Sequence, residues 1–279
     1  MKKIVLIGLF AVLVIFVGQA FAADPPYSIQ PVVGHSNGNH RLDCRVIRPW
    51  DSSSLDDTQY PVIAWANGWG QGNVFGAGNT AWYINEYLID WALEGPYIVI
   101  AANAWSARED DVLRCLQWIV DQDGDTESEY YGKVNTDRIG LAGHSQGAGA
   151  VIKAGDGEPN GLDITAVLAM NPYGPSWVSA GDQDGQVLVL TGSNDTVTPF
   201  RWTYPVFEAL VTNGAGGWYA VYKGGGHSTL DLYQPVIKEW WDFKLNDNPA
   251  AGAAMETILA TNPPWTTQYT DGFGTVTEY

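Results

Sequence analysis

The chain has 279 residues, 46% of them hydrophobic and only 16% charged, which is enough apolar material for one sizeable core and leaves one or two domains open. Thirty-one acidic residues face 14 basic ones, for a formal charge of −17. So negative a surface repels phosphate backbones and anionic lipid, which excludes nucleic-acid and peripheral-membrane partners.

In chain order, Lys2 and Lys3 precede an apolar run from Ile4 to Val17, and Ala20-Phe21-Ala22 follows as a small-x-small cleavage site. Residues 1–22 read as a secretory signal peptide, so the mature chain is expected to be extracellular or periplasmic. Past it, no stretch reaches the roughly 18 apolar residues of a spanning helix. Residues 61–67 predict a strand and 80–93 a helix ending at Gly95. Residues 97–102 predict an apolar strand, and Ser106-Ala107-Arg108-Glu109 a capping box opening the next helix. Residues 138–142 then predict a short strand, followed by a Gly/Ala-rich helix. Strands at 164–170, 187–191 and 218–222 alternate with helices at about 200–213 and 235–245. Uninterrupted apolar strands alternating with amphipathic helices indicate a mostly parallel central sheet covered on both faces. With no break in composition, 23–279 read as a single α/β domain.

The chemistry centres on Gly143-His144-Ser145-Gln146-Gly147. In a chain with 32 glycines a bare G-x-S-x-G is a weak signal, but here a strand runs into it and a helix leaves it. A serine on such a turn has its Oγ thrust out at the carboxyl edge of the sheet, and the flanking glycines allow strand and helix to pass closely. The helix N-terminus adds free N–H groups that favour a developing oxyanion.

A serine hydroxyl needs a base. Of the four histidines, His35 and His40 precede the first core strand, and the His144 side chain cannot turn back onto its neighbour's Oγ. His227, in Gly224-Gly225-Gly226-His227-Ser228 after a strand, remains. The orienting carboxylate should also follow a strand, which selects Asp195 in Gly192-Ser193-Asn194-Asp195. Asp163, Asp182 and Asp184 precede their strands, and Asp231 is the runner-up. The order Ser145–Asp195–His227 differs from both common serine-protease orders.

These three blocks resemble the active-site blocks of the α/β-hydrolases, and are most similar to the cutinase-like polyester hydrolases, including the PET hydrolases, with their dienelactone-hydrolase and chlorophyllase relatives. The resemblance runs from about Leu42 to Leu245 and implies an α/β-hydrolase fold, and the short spans after Met170, Thr191 and Tyr222 leave no room for a cap domain, so the cleft is expected to be uncovered. It implies further that the backbone N–H groups of Trp69, in Asn67-Gly68-Trp69-Gly70, and of Gln146 form an oxyanion hole. Tyr173, in Asn171-Pro172-Tyr173, would be an aromatic wall of the acyl cleft, with Trp69 also touching substrate. Gln146 stands where that branch usually has Met, and Trp69 where it has Tyr, Phe or Thr. Both line the expected cleft and so bear on the choice of substrate.

The remaining features have plainer readings. The tryptophans lie mostly at core-facing periodicity, as Trp82, Trp91 and Trp118 do. Residues 121–127 resemble a calcium loop, but the glycine is two places early for an EF-hand and Gly132 stands where Glu is required, which leaves a solvated acidic loop. Cys44 and Cys115 are the only cysteines. Export permits a disulfide between them, and two buried thiols fit equally; neither is part of a zinc-type cluster. The sequence thus predicts a secreted, monomeric serine hydrolase of carboxylic esters, a cutinase-like polyester hydrolase, that needs no cofactor or metal. A lipase or small-ester carboxylesterase is the alternative, and a glycan-binding pseudo-hydrolase a more distant one.

Overall fold

The computed structural model describes residues 27–32, 42–49, 58–71, 82–155, 161–173, 185–261, 265–270 and 276–278. The expected leader, His35, His40, Asp182 and Asp184 lie outside them. So do residues 174–184, and with them the expectation of an uncovered cleft on that side.

Among the described residues ten strands form one sheet in the order β1-β2-β4-β3-β5-β6-β7-β8-β9-β10. Its centre is parallel: β4 (Ile98–Ala102), β3 (Tyr60–Ala66), β5 (Val134–His144), β6 (Ala166–Met170), β7 (Gln186–Gly192) and β8 (Gly217–Tyr222). Antiparallel strands flank it, β1 (Tyr27–Val32) and β2 (Leu42–Ile47) on one side and β9 (Trp265–Thr270) and β10 (Val276–Glu278) on the other. This is an α/β-hydrolase fold with helices on both faces.

Strand alternation divides the core in two. Val62, Ala64, Ile100, Leu141, Val167 and Val189 point to the face covered by α2 (Glu109–Asp123), α3 (Gln146–Ala154) and α4 (Phe200–Thr212). Ile63, Trp65, Val99, Ala142, Leu168 and Leu190 point to the other, under α1 (Trp82–Glu94), α5 (Gln234–Leu245) and α6 (Pro249–Thr261). Helix α2 follows the expected stripe, with Val112, Leu116 and Ile119 all buried. On the second face Trp91 lies edge-on between Trp65 and Trp241, with ring centroids 6.0 and 5.9 Å away. Truncating any of these rings would cost about 3–5 kcal/mol in lost transfer energy and cavity.

Three expectations are corrected or completed. Helix α2 begins at Glu109 with Arg108 as its N-cap, so Ser106 and Glu109 do not form a capping box. The Asp111 carboxylate instead accepts from the Arg108 N–H at 3.0 Å, and Ser106 Oγ–H donates to Gln146 Oε1 at 2.7 Å. Strand β5 starts four residues early, at Val134, because Val134 and Asn135 pair with Tyr60 and Pro61 before a register shift that passes over Thr136, Asp137 and Arg138 and resumes with Ile139 opposite Val62. Cys44 and Cys115 form a disulfide that ties β2 to α2, their Cα atoms 5.7 Å apart.

Candidate active site

The end of β5 and the start of α3 make the turn the sequence suggests. Ser145 has φ 57° and ψ −120°, a conformation that L-residues avoid unless their surroundings over-determine it. Here the backbone on both sides is tied down. The Ser145 N–H donates to Met170 O at 2.9 Å, and the Ser145 carbonyl accepts from the amides of Tyr173 at 2.9 Å and Gly149 at 3.2 Å. A Cβ on Gly143 would lie 2.5 Å from the Gly147 carbonyl oxygen, so the crossing of strand and helix excludes any side chain there.

Asp195 sits just past β7, in a turn closed by its own carboxylate. Oδ1 accepts the amides of Val197 and Thr198, both at 2.8 Å, and Oδ2 accepts the Thr198 hydroxyl at 2.7 Å. Burial works to raise this carboxyl, but the hydrogen bonds from His227 and Thr198 prevail and hold it down at about 2. It is therefore ionised at neutral pH.

His227 follows β8 on a loop whose glycines allow close approach as well as turning. A Cβ on Gly192 would lie 2.2 Å from the Gly225 oxygen, and the Asn194 N–H donates to that oxygen at 2.8 Å. The loops carrying Asp195 and His227 thus pack backbone to backbone. His227 Nδ1 lies 2.8 Å from Asp195 Oδ2 and Nε2 lies 3.0 Å from Ser145 Oγ. An ionised carboxylate can only accept, so Nδ1 carries the proton and the lone pair of Nε2 faces the serine hydroxyl. Asp231 is exposed in the short 3-10 turn Leu230–Tyr233.

The segment Asn67–Gly70 borders the serine from the opposite side. A Cβ on Gly68 would come within 2.9 Å of Ser145 Cβ. Asn67 Nδ2 donates to Ala104 O at 2.6 Å, and the Gly70 N–H donates to Trp105 O at 3.0 Å, fastening this segment to the loop after β4. Gln146 is the first residue of α3, so its N–H has no carbonyl to bond within the helix. Trp69 is 73% exposed and Tyr173 48%. Trp69 meets an exposed neighbour that sequence reasoning passed over: Trp105, edge-on at 6.2 Å.

Sequence reasoning also missed four buried or half-buried polar residues around the site: Gln71, Asn171, Thr198 and Tyr233. Thr198, three residues after an aspartate and just before a proline, carries a local signal, since Asp side chains commonly accept amides two and three residues on. The others bond across sequence separations that no local pattern reveals. Among the described residues no group of His, Cys, Asp and Glu could hold a metal ion.

With this geometry in place, the comparison with known families is specific. Residues 98–240, just over half of the chain, match the model of the PETase family, described as PET hydrolase-like. The matched segment runs from the start of β4 into α5 and contains Ser145, Asp195, His227 and Tyr173, while Trp69 lies before it. No curated protein matches the chain.

Proposed function

The chain belongs to the PET hydrolase-like family of ester hydrolases, and on that premise we propose that it is a secreted serine hydrolase that opens carboxylic esters, polyesters among them, through an acyl-enzyme. The observation that carries the reading is the hydrogen-bonded line Ser145 Oγ–His227–Asp195, at 3.0 and 2.8 Å.

In this reading Ser145 Oγ attacks the ester carbonyl while His227 Nε2 takes its proton. The carbonyl oxygen becomes an oxyanion, held by the N–H groups of Trp69 and Gln146. Collapse of the tetrahedral species breaks the C–O bond, and His227 returns the proton to the leaving alcohol. Water, deprotonated by the same imidazole, then cleaves the acyl-enzyme and regenerates the serine. Asp195 keeps the proton on Nδ1 and stabilises the imidazolium in both halves. Every proton is passed within the triad and the water, so no step calls for a cofactor.

The exposed rings of Trp69 and Tyr173 support a substrate with aromatic or long apolar segments, which gain from ring contact. The leader-like residues 1–22 support export. A fluorophosphonate should label wild-type protein at Ser145, and the protein should hydrolyse both soluble nitrophenyl esters and solid aromatic polyester film. Trp69→Ala should lose more rate on film than on the nitrophenyl ester. Absence of labelling at Ser145 would exclude the serine mechanism; labelling with no release from any polyester would favour a small-ester carboxylesterase.

A further inference from the structure

Behind the serine runs a partly buried line of hydrogen bonds that the proposed chemistry does not use. Gln71 Oε1 accepts the Gly68 N–H at 2.7 Å. That bond fixes which end of the amide is which, so Gln71 Nε2, 2.7 Å from His144 Nδ1, is the donor. Nδ1 must then be bare, which leaves the His144 proton on Nε2. Nε2 lies 2.7 Å from the backbone carbonyl of His227 and donates to it. The same carbonyl accepts Asn171 Nδ2 at 2.8 Å, and Asn171 Oδ1 accepts Tyr233 O–H at 3.1 Å and the Gly192 N–H at 3.2 Å.

We propose that Gln71 and His144 are positioning residues, which hold the loop bearing the Trp69 oxyanion donor and the loop bearing the His227 base in one register across the nucleophile. The proposal rests on the serine mechanism above. His144 suits this task because it is fully buried and its two ring nitrogens must play opposite parts, one accepting and one donating. A neutral imidazole does this in one tautomer only, which the Gln71 donor and the His227 carbonyl both require. Burial, with the nearby His227 ring second, keeps His144 neutral by lowering its pKa to about 3. Neither residue takes part in the proton transfers proposed above. Their effect is geometric: Gly68 is the residue before the donor amide, and the His227 carbonyl belongs to the residue whose ring must lie 3.0 Å from Ser145 Oγ.

Gln71→Met keeps the length of the side chain and removes both its bonds. Gln71 is only partly buried, so the change is one the fold can accept. On a soluble nitrophenyl ester the variant should lose kcat by about tenfold to a hundredfold with KM unchanged, the scale expected of a small misplacement of reacting groups. Its rate constant for phosphonate labelling should fall in parallel. Divided by the folded fraction read from circular dichroism, that constant reads the proposal even in a variant that folds poorly. In wild-type protein, nitrogen-15 spectra should show His144 protonated at Nε2 and bare at Nδ1, and in the variant the Nδ1 resonance should shift as that nitrogen loses its donor while Nε2 keeps its proton. The proposal is overturned if Gln71→Met keeps kcat and labelling rate within twofold of wild type, if its loss falls on KM, or if wild-type His144 is protonated at Nδ1. Failure of the serine reading is a separate result, in which wild-type Ser145 does not label at all.

Discussion

Gly147 lies so close against Ala66 that a Cβ on the glycine would stand 2.1 Å from the Ala66 carbonyl oxygen. The obstacle is backbone in the central strand β3, which cannot rotate aside as a side chain would. Gly147→Ala should therefore push α3 off the sheet and displace Ser145, costing at least the 1–3 kcal/mol typical of overpacking. Thermal melting should show a lowered Tm together with lost esterase activity. Gly124→Ala, whose new methyl would meet only Asp121 O at 3.8 Å, should melt near wild type.

Ser145→Ala should abolish turnover while leaving Tm within a degree or two, since a smaller side chain fits the same turn. Asp195→Asn should lower kcat by about 10⁴ by presenting the wrong imidazole tautomer to the serine. Asp231→Asn should remain near wild type. Stopped or initial-rate assays on a nitrophenyl ester distinguish these, and the reverse ranking of the two aspartates would reassign the acid.

Acid should unfold this protein through His144. Its pKa is about 3 in the fold against 6.5 as a free side chain. Between those values the unfolded chain binds a proton that the folded one does not, so stability is lost as pH falls from 6.5 towards 3. Asp195, lowered from 3.8 to about 2, adds to the loss in the same direction at still lower pH. From pH 7 to pH 5, where only the His144 part operates, it amounts to about 2 kcal/mol. Urea unfolding at the two pH values should show that difference in wild type and a smaller one in His144→Gln.

How far the sequence reaches is visible in these same residues. The strand–turn–helix at Ser145, the strand ends bearing Asp195 and His227, and the alternation that sorts the two cores are local patterns, and each can be read from a few neighbouring residues. Helix α6 escaped because Pro249-Ala250-Ala251-Gly252-Ala253-Ala254 opens it with small residues and shows little amphipathic contrast. The opening of β5 escaped because four polar residues precede its apolar part. Gln71 and Asn171 escaped for a different reason: their partners lie 73 and 56 residues away, and only the closed sheet brings them together.

The disulfide should be a large part of the stability. Cys44 and Cys115 are 71 residues apart, and closing a loop of that size removes about 4 kcal/mol of denatured-state freedom in the chain-entropy account. Reduction, or the double change Cys44→Ala with Cys115→Ala, should lower Tm by several degrees at least. Calorimetry with and without reductant reads this directly, and an unchanged Tm would refute it.

The same bond also divides the chain into unequal covalent parts. Between Cys44 and Cys115 lie β3, Trp69, Gln71, α1 and β4, whereas Ser145, Asp195 and His227 all lie beyond it. A protease that cuts once between residues 45 and 114 opens a ring rather than releasing a piece. The nicked protein should run as one band without reductant and as two with it. Where the cut falls after Trp69, the half that contributes that residue would stay tethered to the half that holds the serine.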